Sequence, residues 1–475
     1  MTTIGTTSGT KPGNDLLDGK ISDIANAIKT RQITSVELTK KFLDRIEQVN
    51  GPLNAAINIQ ADVALKYAAE ADARLEAGET PGPLHGVPMT IKDSLDTKDM
   101  VTTWGTTGRK DYRPGRDATA VARLRDAGAI LLAKTNTPEF TLSFKTDNLL
   151  FGATRNPFDL NRTPGGSSGG AAALIASGAS LFDVGTDTGG SIRLPAHFCG
   201  IAGIKPTTGR VPCTGNALPS SGLIARLSQP GPMARCAEDL ELLLNIMMGP
   251  DLLDSYALPG NPVNSSQVDL KQLRFGYFSD NGVKSPMAEI QAAIMSVVEL
   301  LAEEGFKATE TRPSGIEMTS FILSRVFSAD GGEMIEALLE DCRTTEISSA
   351  LAGMDENSLP KIDQKEFAQV INLWDNYRSS MLSIFRDFDV LLCPVNGQTA
   401  IPLDQEEDMA DYTYTSAFNL TGWPAAVVQV GRDHLGLPIG IQVVAAPFRE
   451  DRCLAVARWL EEKIGALAPP DCHAN

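Results

Sequence analysis

One heptapeptide constrains this chain more than any other stretch. Pro164-Gly165-Gly166-Ser167-Ser168-Gly169-Gly170 sets four glycines around two serines, and Ala171-Ala172-Ala173 then reads as a helix start. Glycines in that arrangement let backbone N–H groups converge at a helix N-terminus, where negative charge is stabilised. A second cluster, Gly185-Thr186-Asp187-Thr188-Gly189-Gly190-Ser191-Ile192-Arg193, follows the short apolar run Leu181 to Val184. Two glycines directly before Ser191 free its neighbouring amides to point inward, the geometry of an oxyanion hole beside a serine nucleophile. A serine also needs a base. Gly86-Val87-Pro88-Met89-Thr90-Ile91-Lys92 reads as a buried strand that delivers Lys92 to a loop. Desolvation lowers the pKa of a buried lysine, so part of it is neutral near pH 7 and can accept a proton. Serine–lysine pairing is one variant of triad chemistry.

The rest of the chain alternates helices with apolar strands, the pattern of an α/β fold with a mixed or parallel sheet. Thr34-Ser35-Val36-Glu37 predicts a capping box opening a helix that Gly51-Pro52 should end. Further helices are expected over 61–77, 118–127, 287–303, 333–340, 365–387 and 450–464. Strands are expected over 54–59, 129–133, 274–278, 390–392, 426–430 and 439–444. Residues 155–232 are so dense in Gly, Ser, Thr and Pro that irregular backbone is expected there rather than regular elements. No repeat and no long linker divides the chain. The expected organisation is a tail over 1–20 and one catalytic domain over 21–475, with 310–420 as its variable, substrate-shaping part.

Charge and cysteine usage exclude several functions. Asp and Glu number 59 against 42 Lys and Arg, a net charge of −17, which is wrong for neutralising nucleic-acid phosphates. No window is apolar enough to span a membrane, and the polar N-terminus lacks a signal-peptide core. Seven scattered cysteines without C-x-x-C suit free thiols in a reducing compartment, so a cytoplasmic location is expected. Four histidines, none in H-E-x-x-H or H-x-H, offer no metal site.

Taken together the motifs resemble the amidase signature family over residues 20–465. The matching strings are GPLHGVPMTIKDSLDT, DATAVARLRDAGAILLAKTNTPEF, FGATRNPFDLNRTPGGSSGG, GTDTGGSIRLPAHFCGIAGIKPTTGRVP and GPMARCAEDLELLL. Ser167 follows Lys92 by 75 residues and Ser191 follows Ser167 by 24, as in the family pattern. The resemblance implies one α/β/α domain, a large mixed twisted sheet layered between helices. It implies Ser191 as nucleophile, Ser167 held by a cis peptide as proton relay, and Lys92 as base. The amides of Thr188, Gly189, Gly190 and Ser191 would bind the oxyanion. No cofactor and no metal is implied, and a homodimer is compatible with it. The substrate would be a small-molecule amide, anilide, ester or carbamate (urethane). A glutaminase-type subunit of an aminoacyl-tRNA amidotransferase shares the fold but typically carries an EASSNLARYDG-like stretch. The nearest region here reads RVFSADGGEMIEALLEDC. A non-enzymatic binding protein on the same fold is the third reading, and the presence of all three triad residues argues against it.

Neighbouring residues have plainer readings. Asp187 and Arg193 read as a salt bridge bracing the nucleophile loop. His85, His197 and Cys199 read as packed residues, because Lys92 already supplies the base. Gly166-Ser167-Ser168-Gly169-Gly170 also fits the G-x-S-x-G elbow of α/β-hydrolases, but Asn161 to Pro164 is no strand. The stretch 210–228 reads as a lid or substrate wall through Leu218, Leu223, Ile224 and Leu227. Trp104, Phe144, Tyr412, Tyr414, Phe418 and Trp423 are candidates to line an acyl or aryl pocket.

Overall fold

The structure, a computed structural model, describes residues 19–352, 354, 359, 362–465 and 469–470. Two sheets share the fold. Eleven strands run in chain order: β1 Ala56–Ile59, β2 Pro88–Lys92, β3 Ile130–Thr135, β4 Phe182–Asp187, β5 Ala202–Lys205, β6 Gln229–Ala234, β7 Phe275–Tyr277, β8 Ala308–Glu310, β9 Val390–Pro394, β10 Ala425–Arg432 and β11 Pro438–Ala445. The large sheet has eight strands in the order β4-β6-β5-β10-β11-β9-β7-β8. It is mixed: pairs from β4 through β9 are antiparallel, whereas β9, β7 and β8 are parallel. The small sheet is β1-β3-β2, with β2 parallel and β1 antiparallel to β3.

Both faces of the large sheet are covered, which is why its central strands read as apolar runs. Successive side chains point to opposite faces. Ala426, Val428, Ile441, Val443 and Leu392 therefore join the main core, with Leu454 and Leu460 of the helix Glu450–Ile464. Ala425, Val444, Leu391 and Cys393 face a second core, built on helices Thr319–Phe327, Glu333–Cys342, Gln364–Leu382 and Thr413–Thr421. Most of the 310–420 stretch thus forms its own apolar cluster on one face.

Several expected boundaries hold. The first helix opens at Ile21, and Thr34 and Glu37 form the reciprocal capping box of the helix Ser35–Leu53. That helix runs past Gly51-Pro52 and ends only at Asn54, which takes the left-handed conformation at φ 50°. A proline there removes only one N–H from the last turn, while Leu53 still reaches the core. Of the expected tail, residues 1–18 lie outside the described residues.

The expectation of irregular backbone over 155–232 is wrong. That stretch contains β4, β5, β6 and the helices Gly169–Ala176 and Arg193–Cys199. Its strand glycines serve close packing rather than turning. Gly185 on β4 pairs directly with Gly231 on β6, and Gly203 on β5 faces Met233 beside them. A Cβ at any of the three would run into the Ile192 side chain, at 2.8 to 3.0 Å. Three bare positions on adjacent strands therefore make a socket for the residue that follows Ser191.

Asp183 joins the two sheets. β2 lies against β4 without ladder bonds. In their place the buried Asp183 carboxylate accepts the Lys92 amide at 2.8 Å, the Thr90 hydroxyl at 2.7 Å and the Thr135 hydroxyl at 3.1 Å. Burial pushes this carboxyl up to about 6 and those three donors oppose the rise. Asp183→Ala leaves the three donors without that acceptor. The expected result is a loss of about 3 kcal/mol, read as a lower urea midpoint at unchanged m-value.

Candidate active site

Lys92 is the last residue of β2 and is fully buried. Its Nζ donates to Ser167 Oγ at 2.7 Å and to Thr186 Oγ1 at 2.9 Å. Desolvation brings the ammonium down to about 7, against the opposing fields of Asp187 and Asp183. Ser167 lies in the loop before the helix Gly169–Ala176, and the Gly166–Ser167 peptide is cis. Its neighbour Ser168 is buried with its hydroxyl unpartnered, while the Ser168 amide donates to the Ser191 carbonyl at 3.2 Å. That bond joins the two serine loops.

Ser191 sits between β4 and the helix Arg193–Cys199. Ile192 anchors it from below in the glycine socket. Asp187, the last residue of β4, anchors it from the side. The Asp187 carboxylate accepts the Ile192 amide at 3.1 Å and pairs with the Arg193 guanidinium through Nε at 3.0 Å and the terminal nitrogen at 2.9 Å. Burial alone would raise this carboxyl, but Arg193 holds it down at about 2. Arg193 also donates to the Thr415 carbonyl, Gln442 Oε1 and Asn419 Oδ1. Asn419 in turn donates to the Asp187 carboxylate at 2.8 Å and to the Leu227 carbonyl at 3.1 Å. The pair is fully buried, as the bracing role expected of it requires.

The carbonyls of this loop are occupied and its amides are not. Gly190 O accepts the Leu194 amide at 2.7 Å and Ser191 O accepts the Ser168 amide. Among the described residues the amides of Thr188, Gly189, Gly190 and Ser191 donate to nothing. Buried N–H groups are nearly always paired, so consecutive open donors are a geometry able to receive an anionic oxygen. Thr188 stands at the edge of this group, its hydroxyl on Ser228 Oγ at 3.1 Å.

Other expected residues fall elsewhere. His85 Nε2 bonds the Ala71 carbonyl at 2.9 Å, and His197 lies between the Gln398 carbonyl and the Gly440 amide. Burial holds His197 down at about 4, so it is neutral. Cys199 is buried with its thiol directed at the Pro164 carbonyl, and burial pushes that thiol up. Leu218, Ile224 and Leu227 of the 210–228 stretch are buried in the second core, so this segment is a packed wall. Of the six aromatics, Tyr414, Phe418 and Trp423 are core, and Trp104 lies under the Arg109 guanidinium. Phe144 is half-buried and stacked on Tyr412, with centroids 3.9 Å apart. Its ring tip stands 3.1 Å from where a Gly189 Cβ would be. Phe144, backed by the Tyr412 ring, therefore stands beside Gly189.

Matches to known proteins fix the family. The Amidase family model matches residues 37–454. The chain belongs to the amidase signature family. Membership makes it a hydrolase of carbon–nitrogen bonds other than peptide bonds. It is 32% identical to a glutamyl-tRNA(Gln) amidotransferase subunit from Heliobacterium modesticaldum, over 95% of this chain and 97% of that one. It is 34% identical to the indoleacetamide hydrolase of Bradyrhizobium diazoefficiens, over 94% of this chain and 86% of that one. The solved structure of a bacterial aryl acylamidase of the same family superposes with a TM-score of 0.84 at 27% identity, covering 94% of this chain and 96% of that one.

Spacing points to Lys92, Ser167, Ser191 and the Gly-Gly amides. It misses Asp183, Thr186, Ile192, Thr415, Ser416, Asn419 and Gln442, four of which lie more than 220 residues beyond Ser191 in sequence and belong to no short motif. Ile192→Ala empties the glycine socket. The expected cost is about 1–3 kcal/mol of stability by urea titration, with a fall in turnover as the Ser191 loop loosens.

Proposed function

We propose that the protein is a stand-alone hydrolase of small-molecule amides and anilides, with Ser191 as nucleophile and Lys92 as base acting through Ser167. One observation carries this reading. A fully buried lysine, held near neutrality, touches the Ser167 hydroxyl in a loop bonded to that of Ser191. In the first step a Ser191 Oγ–carbonyl bond forms and the carbonyl π pair moves onto oxygen, facing the open amides. The Ser191 proton passes to Ser167, whose own proton goes to Lys92 Nζ. The reverse relay protonates the leaving nitrogen as the C–N bond breaks, and the amine departs. Water then attacks the acyl-enzyme by the same relay, releasing the acid and restoring Ser191. A carbamate follows the same course, and its acid loses carbon dioxide. The half-buried face beside Gly189, walled by Phe144 on Tyr412, supports a flat acyl or aryl group on the substrate.

A second reading is a glutaminase-type amidotransferase subunit, supported by the 32% identity to one such protein. Amine release from an acyl anilide, an aryl carbamate, a long-chain amide and glutamine, by the purified single chain, separates the two. Release from the anilide or carbamate without any partner is expected, and a loss of at least about 10³-fold in Ser191→Ala. Release from glutamine alone, or from nothing until partner subunits are added, would favour the second reading.

The pH dependence follows from Lys92. Only the neutral amine accepts a proton, so kcat/KM should rise through an apparent pKa near 7 and then level off. Below that value it should fall about tenfold per pH unit. An optimum near pH 5 in steady-state rates would exclude lysine as the base.

A further inference from the structure

We propose that Thr415 and Ser416 are positioning residues that aim the oxyanion-binding amide of Gly190. This rests on the reading of Ser191 as nucleophile and adds a device to it. Both residues lie in the helix Thr413–Thr421, at the far end of the sequence from the glycine clusters. The Thr415 hydroxyl lies 2.6 Å from the Gly189 carbonyl and 3.0 Å from the Tyr412 carbonyl, which already accepts the Thr415 and Ser416 amides, so its one proton goes to the nearer Gly189 oxygen, and the Ser416 hydroxyl donates to that oxygen at 3.0 Å. Two donors saturate the two lone pairs of one carbonyl.

A trans peptide is planar, with its C=O and N–H pointing in opposite directions. Fixing the Gly189 carbonyl towards the helix therefore turns the Gly190 N–H away from it, and that N–H has no acceptor among the described residues. The next peptide is held in the same way, by the Leu194 amide on Gly190 O. Glycine would otherwise let the plane rotate. Gly190 has φ +142°, a value side-chain-bearing residues rarely adopt, and a Cβ there would collide with the Thr415 side chain. The bare glycine lets the threonine approach, and the threonine removes the freedom the glycine brings. Both hydroxyls are buried, so no water competes for the carbonyl.

The clamp acts on the oxygen that gains charge as the Ser191–carbon bond forms, so its effect falls on turnover rather than on ground-state binding. Thr415→Val with Ser416→Ala removes both donors at nearly constant volume. On whichever substrate of the panel is released fastest, the double variant is expected to lose about 10²-fold in kcat with KM changed less than about twofold. Affinity for phenylboronate should fall in parallel, because its tetrahedral adduct on Ser191 places an anionic oxygen in the same site. Thr415→Ser should restore the wild-type rate, since it keeps the hydroxyl. Thr421→Ala, whose hydroxyl bonds only the Ala417 carbonyl within the same helix, should leave kcat unchanged.

Wild-type kcat in a folded double variant overturns the proposal. So does a rise in KM with kcat intact, or an equal loss in Thr421→Ala. If the double variant does not fold, the single variants Thr415→Val and Ser416→Ala carry the test. Each is expected to lose about tenfold, and wild-type rates in both overturn the clamp. Activity surviving in Ser191→Ala would instead remove the nucleophile reading itself, a separate result.

Discussion

The contact between Asp183 and the end of β2 is the joint on which the site depends. Lys92 belongs to the three-stranded sheet, whereas Ser191 follows a strand of the eight-stranded one. No ladder bond connects the two sheets there. One carboxylate, accepting a backbone amide and two threonine hydroxyls, fixes how far β2 extends along β4. That register brings Lys92 Nζ to Ser167 and Thr186. Such a joint is polar because the Lys92 N–H on the edge of β2 is buried against β4 and needs an acceptor.

Charge balance around that joint decides what the lysine can do. Asp187 is the largest field favouring the ammonium form of Lys92. Arg193 occupies the same carboxylate with two nitrogens and is held by three further acceptors, so the local anion is already compensated. The ion pair braces the Ser191 loop and sits in the field that acts on Lys92. It fixes the loop after Ser191 through the Ile192 amide, and it pairs the carboxylate whose field opposes the desolvation of Lys92. A buried pair of this kind adds little net stability over an apolar one, and orientation is its better-attested use.

How much of this is legible in the sequence follows from distance along the chain. The capping box at Thr34, the strand ending on Lys92 and the helix start after the first glycine–serine cluster are local patterns, and each reads correctly. The glycines of β4, β5 and β6 read as loop formers because a single sequence cannot show that Gly185, Gly203 and Gly231 come together. Their meaning lies in the Ile192 side chain they admit. Strand β6, Gln-Pro-Gly-Pro-Met-Ala, breaks the usual strand composition twice with proline. It persists because it pairs with β4 on one side and only briefly with β5 on the other. Asn419, Thr415 and Ser416 give no signal, since a threonine or asparagine on a helix has many ordinary uses.

The division between legible and hidden residues has a physical counterpart. The groups proposed to move protons each sit in a short local pattern, the strand end at Lys92 and the two glycine–serine clusters. The groups that aim the oxyanion donors come from the helix Thr413–Thr421, which begins at the Tyr412 that stacks on Phe144. The Tyr412 carbonyl accepts the amides of Thr415 and Ser416, so the aromatic wall and the two hydroxyls on Gly189 are seated on one turn of helix. A substrate group pressing on the wall therefore bears on the same turn that holds the Gly189 carbonyl. In a packed interior a shift in one is transmitted to the other. On the proposed mechanism, a helix turn that recognises the acyl group would also set the alignment of the oxyanion-binding amides, so binding and rate would not be independent properties of the site.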